Sequence, residues 1–319
     1  MYRMVLTAPL SCSSRYPVYL VFELGSRNGK AARIMQLNAM FPTRDIGNDP
    51  ARIREWAQAA EDLGYAYIEV PDHVFGAAAR DGWTPRYNER DPFHETFVTL
   101  GFLAAVTTRI RLSSGILIAP QRQTGLIAKQ AAEVDLLSGG RLRLGIGNGW
   151  NHVEYEALGT DWKTRGARQA EQARVLRRLW SGELVDYDGR FHNLKGVNIV
   201  PPPVQRPIPI WFGGSSDAVV KRAARLGDGW MPIMAPDGEA EQKLAMWREE
   251  ISKQGRDPAK VGLEGWLRMH DADPQQWAVG ADGWRRLGAD FVMLYPMYRM
   301  PKFEDQIETL RRFKEVASG

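Results

Sequence analysis

The sequence predicts an α/β fold, a (β/α)8 barrel in which eight parallel strands are wrapped by helices. Three observations predict it. From residue 33 on, one pattern repeats: an amphipathic helix, a Leu-Gly or Gly-Gly stop, then a short apolar strand. Such helix-then-strand order means parallel strands joined by crossovers. The repeats come to eight units in about 285 residues, which suits a barrel with insertions. The dinucleotide fingerprint of an open sheet is missing: after Gly145-x-Gly147 the third glycine belongs at position 150, and Trp150 stands there. A doubly wound open sheet is the alternative, and the missing fingerprint and the count of eight both weigh against it.

The elements follow in order. Leu63-Gly64 precedes Tyr65–Val70, Ser138-Gly139-Gly140 precedes Leu142–Ile146, Leu226-Gly227 precedes Gly229–Ile233, and Leu287-Gly288 precedes Phe291–Tyr295. Glycine past a helix end supplies the left-handed turn that releases the chain toward the sheet. Strands are predicted near 34–41, 66–70, 110–118, 142–146, 208–212, 229–233, 261–269 and 291–295. Helices are predicted near 50–63, 94–107, 125–138, 165–181, 216–226, 238–254, 274–287 and 303–317. Asp49-Pro50 suits the first helix start, with an N-cap acid followed by proline at the first helical position. Two insertions interrupt the alternation. One is a polar, aromatic loop over 74–93, after strand two. The other, over 182–207, lies between the fourth helix and the fifth strand, where Asp188-Gly189 between Tyr187 and Phe191 signals a hairpin and Pro201-Pro202-Pro203 an extended run.

Composition sets the bounds. An apolar content of 44% is ample for a large core. The single cysteine, Cys12, excludes an internal disulfide and cysteine-based zinc motifs, and a cytoplasmic, reducing compartment is the default expectation. No apolar run approaches the roughly 20 residues of a membrane span. The net charge of +4 belongs to residues 1–34, where Arg3, Arg15, Arg27, Lys30 and Arg33 face only Glu23. The remaining chain is formally neutral, so nucleic-acid binding gets little support. Residues 1–33 lack clear periodicity and read as a poorly ordered N-terminal extension, with a targeting segment as the other reading. Residues 34–319 read as a single barrel domain.

Barrel chemistry sits at the carboxyl ends of the strands. Those ends supply Phe41-Pro42-Thr43, Pro71-Asp72-His73, Ser113-Ser114-Gly115-Ile116, Gly147-Asn148-Gly149-Trp150, Gly213-Gly214-Ser215-Ser216, Met231-Pro232, His270 and Tyr295. Aromatics, small residues and backbone amides suit a large planar ligand with a phosphate tail better than they suit hydrolysis, which wants a carboxylate pair or a metal. Gly213 to Ser216 lies between a strand and a helix start, where free amides and the helix dipole favour an anion; an ordinary glycine turn with Ser216 as helix cap is the plainer reading. The three glycines of Gly145-Ile146-Gly147-Asn148-Gly149 let a backbone approach something flat or anionic. Asp72-His73 is the acid/base candidate, since histidine titrates near neutrality, and a structural histidine bonded to a cofactor edge or a neighbouring loop fits equally well. His270 has a weaker claim, and His94, His152 and His192 read as helix or surface positions. His94-Glu95 opens a zincin-like pair, but Val98 stands where the second histidine belongs, so no metal site is expected. No lysine ends a strand to form a Schiff base.

Taken together, these residues resemble the bacterial luciferase-like monooxygenase superfamily, in particular its branch of deazaflavin-dependent oxidoreductases. The resemblance is carried by Phe41-Pro42-Thr43, Glu55-Trp56-Ala57, Glu61 to Gly64, Pro71-Asp72-His73, Arg141 to Asn151, Glu154 to Gly159, Arg165-Gly166, Leu179-Trp180, Pro209 to Gly214 and Gly227 to Trp230. It runs from about Met35 to the C-terminus. It implies a TIM barrel whose mouth holds an isoalloxazine-like ring, with phosphate near strands five and six. The coenzyme implied is F420, with FMN as the alternative, bound by Phe41, Thr43, Asp72, His73, Gly115, Ile116, Asn148, Gly149, Trp150, Gly213, Gly214, Ser215 and Met231. His73 and Asp72 are the implied catalytic pair, and a non-proline cis peptide maps to Gly115–Ile116. Sugar-phosphate dehydrogenase members carry a glutamate where Trp150 stands, so a hydrophobic or aromatic substrate fits better here. Hydride transfer between the coenzyme and a small organic molecule is the expected reaction. A reduced-FMN monooxygenase served by a partner reductase is the second reading, and a non-catalytic coenzyme-binding protein is the third. The family also suggests a homodimer.

Overall fold

The computed structural model describes residues 34–269, 273–296 and 299–318. The expected N-terminal extension and His270 therefore lie outside the described residues. The strands are β1 Gln36–Met40, β2 Tyr67–Val70, β3 Arg111–Ser114, β4 Leu117–Ile118, β5 Leu142–Gly147, β6 Val185–Asp188, β7 Asn193–Val197, β8 Ile210–Gly213, β9 Gly229–Met231, β10 Gly262–Met269 and β11 Phe291–Pro296. The helices are α1 Pro50–Asp62, α2 Thr96–Val106, α3 Thr124–Ser138, α4 His152–Ala157, α5 Arg165–Leu179, α6 Asp217–Leu226, α7 Gly238–Lys253, α8 Pro274–Arg286 and α9 Phe303–Ala317.

The main sheet runs β3-β2-β1-β11-β10-β9-β8-β5-β4. A parallel pairing of β3 with β5, with Leu112 opposite Leu142 and Ser113 opposite Arg143, closes it. Because β3 and β4 are two pieces of one stave, the result is a closed eight-stranded parallel barrel with alternating helices, as predicted. The expected continuous strand over 110–118 is instead broken at Gly115–Ile116, whose peptide bond is cis. Three bonds hold the break: Gly115 N–H donates to Val70 O at 2.8 Å, Ser114 Oγ donates to Gly145 O at 2.7 Å, and Ile118 N–H donates to Asp72 Oδ2 at 2.8 Å.

The helix signals hold locally. Asp49 accepts from Ala51 N–H at 2.9 Å, with Pro50 in the first turn of α1. Gly139 ends α3 with φ of 69°. The insertion between α5 and β8 carries the expected antiparallel hairpin, β6 with β7. Its loop spans Gly189 to His192 rather than a two-residue turn. Glu171 of α5 pins that loop by accepting from Phe191 N–H at 2.8 Å and Arg190 N–H at 3.1 Å. One helix was not expected, α4. Its six residues are too short to show a period, and Asn151 caps it by accepting from Val153 and Glu154 N–H.

Two layers fill the barrel. Leu142, Leu144 and Ile146 of β5 point to the core shared with the surrounding helices. Their alternates point inward. Arg143 meets Glu69 of β2 at 3.1 Å and Glu264 of β10 at 2.7 Å, and Asn38 of β1 donates to both carboxylates at 2.9 Å. All four side chains are fully buried. Partners drawn from four separate strands place this charged layer inside the barrel. Toward the mouth, Met40, Trp211, Met231, Trp266 and Met293 form an apolar floor, with Ile116, Ile233 and Tyr295 packed against it.

Candidate active site

A cavity of about 820 Å3 opens at the carboxyl ends of the strands. That volume is within the range of small-molecule and cofactor sites. Of the residues expected to contact a coenzyme, Asp72, His73, Gly115, Ile116, Asn148, Gly149, Trp150, Gly213, Gly214 and Ser215 line it. Three do not. Phe41 is buried with its ring edge-on to Trp56 at 5.7 Å. Thr43 is buried and accepts from His94 N–H at 3.0 Å. Met231 lies in the apolar floor. Phe41 belongs to the core shared with the helices, and Met231 packs inside the barrel against Ile116 and Tyr295 of the cavity wall.

The glycine run of β5 has a specific use. A Cβ on Gly147 would collide with Ile116 Cδ1, and one on Gly213 would stand 2.7 Å from the same atom. A Cβ on Gly145 would collide with Ser114 O. Gly145, Gly147 and Gly213 therefore form a seat for the Gly115–Ile116 bulge. The flat object these glycines admit is the neighbouring stave. Gly149 differs: its φ of 68° is a left-handed turn, and it faces the cavity.

His73 stands in an aromatic box on the β2 side. Its ring lies 4.8 Å from that of Phe93 and 5.5 Å from those of Tyr87 and Trp150, all edge-on. His73 Nδ1 is 3.1 Å from Glu154 Oε2. Glu154 is buried, yet its carboxyl is held below the usual range. Burial opposes ionisation, but His73, the Phe75 N–H and Gln121 together outweigh it. Glu154 also accepts from Val74 N–H at 2.5 Å and Phe75 N–H at 3.1 Å, which ties down the start of the long loop after β2. An ionised carboxylate only accepts, so His73 Nδ1 carries the hydrogen of this contact.

Asp72 is placed for a different task. Its carboxylate accepts from Arg122 at 2.6 Å, Thr96 Oγ1 at 3.1 Å and Ile118 N–H at 2.8 Å. Those commitments fix the return of the chain after the bulge and leave Asp72 poorly suited to carry protons.

The opposite wall, on the β5 and β8 side, is rich in donors. Gly214 N–H is spent on Met231 O at 3.1 Å, and Ser215 Oγ accepts from Ile233 N–H at 2.9 Å. The Ser215 and Ser216 amides have no acceptor among the described residues, and they precede the N-terminus of α6. Ser216 takes the N-cap position without a side-chain bond. Arg165 lines this wall, and its guanidinium stacks on Trp162 at 3.6 Å. Its Nε and Asn148 Oδ1 are buried without partners. Behind them Arg222 is buried and, among the described residues, bonded only to Gln169, at 3.0 Å. Desolvation, with Arg225 and Arg165 nearby, lowers the Arg222 pKa. Cationic and amide donors in excess of acceptors fit a phosphate.

Among the described residues no three His, Cys, Asp or Glu side chains cluster as a metal site, and no helix is long and apolar enough to cross a membrane. His94 Nε2 lies 3.1 Å from Gly47 O, His152 packs on Trp83 at 4.8 Å, and His192 bridges Glu171 and Thr124. Sequence reasoning missed Glu154, Arg165, Tyr87 and Phe93 as site residues. The motif runs around Glu154 and Arg165 were visible, but the distant partners of Glu154, His73 and Gln121, were not.

A closed parallel barrel with a cofactor-sized cavity at its carboxyl end, donors on one wall and a histidine on the other, defines the class: a (β/α)8 barrel of the luciferase-like fold. The chain belongs to the luciferase-like monooxygenase family, whose model matches residues 21–314. That match begins inside the segment expected to precede the barrel domain. An uncharacterized protein of Mycobacterium tuberculosis is 37% identical over 207 residues, covering 62% of this chain and 71% of its own. Two solved structures show the same fold. The monooxygenase RslO1 from Streptomyces bottropensis matches with a TM-score of 0.74 at 22% identity, over 88% of this chain and 98% of its own. An F420-dependent secondary alcohol dehydrogenase, solved with an F420-acetone adduct, matches with a TM-score of 0.73 at 18% identity, over the same shares.

Proposed function

We propose that the protein is an oxidoreductase that transfers a hydride between coenzyme F420 and a small organic substrate. The observation that carries this reading is the division of one cavity into two unlike walls. The β8 end, with its open Ser215 and Ser216 amides, and the β2 end, with His73, stand three strands apart around the eight-strand barrel. The unpartnered Asn148 Oδ1 and Arg165 Nε add polar atoms waiting for a ligand on the donor wall.

Ser215, Ser216 and Arg165 would hold the coenzyme's phosphate, with the α6 dipole behind them. Ile116, pressed forward by its glycine seat, would back the ring. When bound, the coenzyme supplies the hydride chemistry. The chain's own part is to orient the ring, exclude water with the aromatic box, and hold a proton at His73 Nε2 for the substrate atom that needs one. Family relatives of the same fold that are named for F420 and for monooxygenase activity agree with a redox role.

The test is direct titration of purified protein with coenzyme F420 and with FMN, followed by coenzyme fluorescence. Saturable F420 binding, weakened about tenfold by Arg165→Ala through loss of a charged donor, supports the proposal. Binding of FMN alone moves the protein to the reduced-FMN monooxygenase reading. Coenzyme binding without turnover of any acceptor leaves a binding protein.

A further inference from the structure

Most of the cavity's charge is unexplained by the coenzyme. Its wall carries the side chains of Arg44, Arg86, Arg165 and Arg268, against a single carboxylate, Asp72. Asp72 is already spent on Arg122 at 2.6 Å. Arg165 belongs to the donor wall. The other three arginines do not.

Arg268 stands next to last in β10 opposite Tyr295 of β11, Arg44 follows β1, and Arg86 lies in the loop after β2. In the barrel these staves run β2-β1-β11-β10. The three guanidiniums thus share the half of the mouth that holds the aromatic box. Arg44 lies 5.3 Å over the Tyr87 ring and Arg86 5.9 Å over the Trp150 ring. The Tyr87 and Tyr295 hydroxyls touch, and both Arg44 and Arg268 act on the Tyr295 phenol. None of the three pairs with a carboxylate among the described residues, although surface arginines elsewhere in the chain do so repeatedly. Guanidiniums kept free of acids, beside flat aromatic faces, form a receptor for an anion on a planar body.

We propose that the substrate is an aromatic carboxylate, its ring held against the cavity side of the box that Phe93, Tyr87 and Trp150 form around His73, and its acid group received by Arg44 and Arg268. This rests on the oxidoreductase reading for the placement of the reacting atoms, but the recognition chemistry can be tested apart from it. The anion could also be an acidic tail of the coenzyme reaching across the mouth, and the experiment separates the two sources.

Isothermal titration of the protein, with and without coenzyme, uses benzoate, 2-naphthoate and indole-3-carboxylate, each beside its primary amide. The expected result is that at least one acid binds about tenfold tighter than its amide, with a preference that falls as salt rises. In the Arg44→Gln/Arg268→Gln variant that preference disappears while coenzyme affinity stays unchanged. Arg44 and Arg268 make no ion pair within the described fold, so a thermal melt matching the parent confirms that the variant is folded. Equal binding of acids and amides, no binding of any acid, or a variant that loses coenzyme affinity while retaining the acid preference each overturns the proposal. Acid preference in a protein that binds neither F420 nor FMN would keep this inference and remove the oxidoreductase reading.

Discussion

His73 of the cavity wall is paired with Glu154, which is buried behind it, Nδ1 and Oε2 lying 3.1 Å apart across 81 positions of sequence. Under the proposed function Glu154 is a positioning residue, which fixes the hydrogen on His73 Nδ1, and His73 is the group that meets substrate. His73→Ala is expected to lower kcat roughly 100-fold, the usual contribution of a placed general acid, with coenzyme affinity little changed. Glu154→Gln is expected to lower kcat by about tenfold and to change the pH profile of kcat, because a neutral amide no longer fixes the tautomer. Steady-state kinetics across pH, beside coenzyme titration, checks both. A Glu154→Gln enzyme with the parent's pH profile would remove the positioning role.

Gly147 and Ile116 are expected to be energetically coupled. Gly147→Ala places a methyl against Ile116 Cδ1, an overpacking that costs about 1–3 kcal/mol. Ile116→Val deletes that atom. The double variant should be more stable than Gly147→Ala alone, and urea unfolding of the four proteins in the cycle measures the coupling. Strict additivity would show that the seat is not the reason for the glycine.

Glu69 is expected to make stability depend on pH in the direction opposite to most acids. Burial, and then the Glu264 carboxylate, raise its pKa well above the usual range, with Arg143 pulling the other way. The folded protein keeps a proton that the unfolded chain has released above about pH 4.5, so this contribution is whole below that value and is lost as pH rises toward the folded pKa. Glu69→Gln removes the slope. The melting temperature of the variant relative to the parent should climb between about pH 5 and about pH 8. A constant difference across that window would show that Glu69 is already ionised in the fold.

Arg143→Met should be far more damaging than Glu69→Gln. It strands two buried carboxyl groups that the guanidinium now meets at 3.1 and 2.7 Å, a loss of about 3–5 kcal/mol. Chemical denaturation of the two variants at neutral pH compares them. An Arg143→Met protein as stable as the parent would mean the layer is held by its surroundings and not by charge pairing.

The barrel was legible because its helix stops and strand starts are local. Leu63-Gly64 and Leu287-Gly288 announce a turn from a few residues alone, and the alternation in Leu142-Arg143-Leu144 announces a strand. The same alternation misleads about direction. In an open half-buried sheet Arg143 would face water. In a closed barrel the leucines face the helices, and Arg143 faces the axis, where only residues from distant strands can satisfy it. The donor wall was legible for a similar local reason, as glycines before a helix start. Its detail was not, since the Gly214 amide is consumed by Met231 O on the next strand. Asp72-His73 was readable as a pair of neighbours, but their opposite duties depend on Arg122 and Glu154, which no short window contains.

Ile116, Ile233, Trp266 and Tyr295 line the cavity and also pack into one apolar cluster with Met40, Trp211, Met231 and Met293. A molecule resting on those four cavity-lining side chains gives up its water there, so its polar groups must be answered from the side walls.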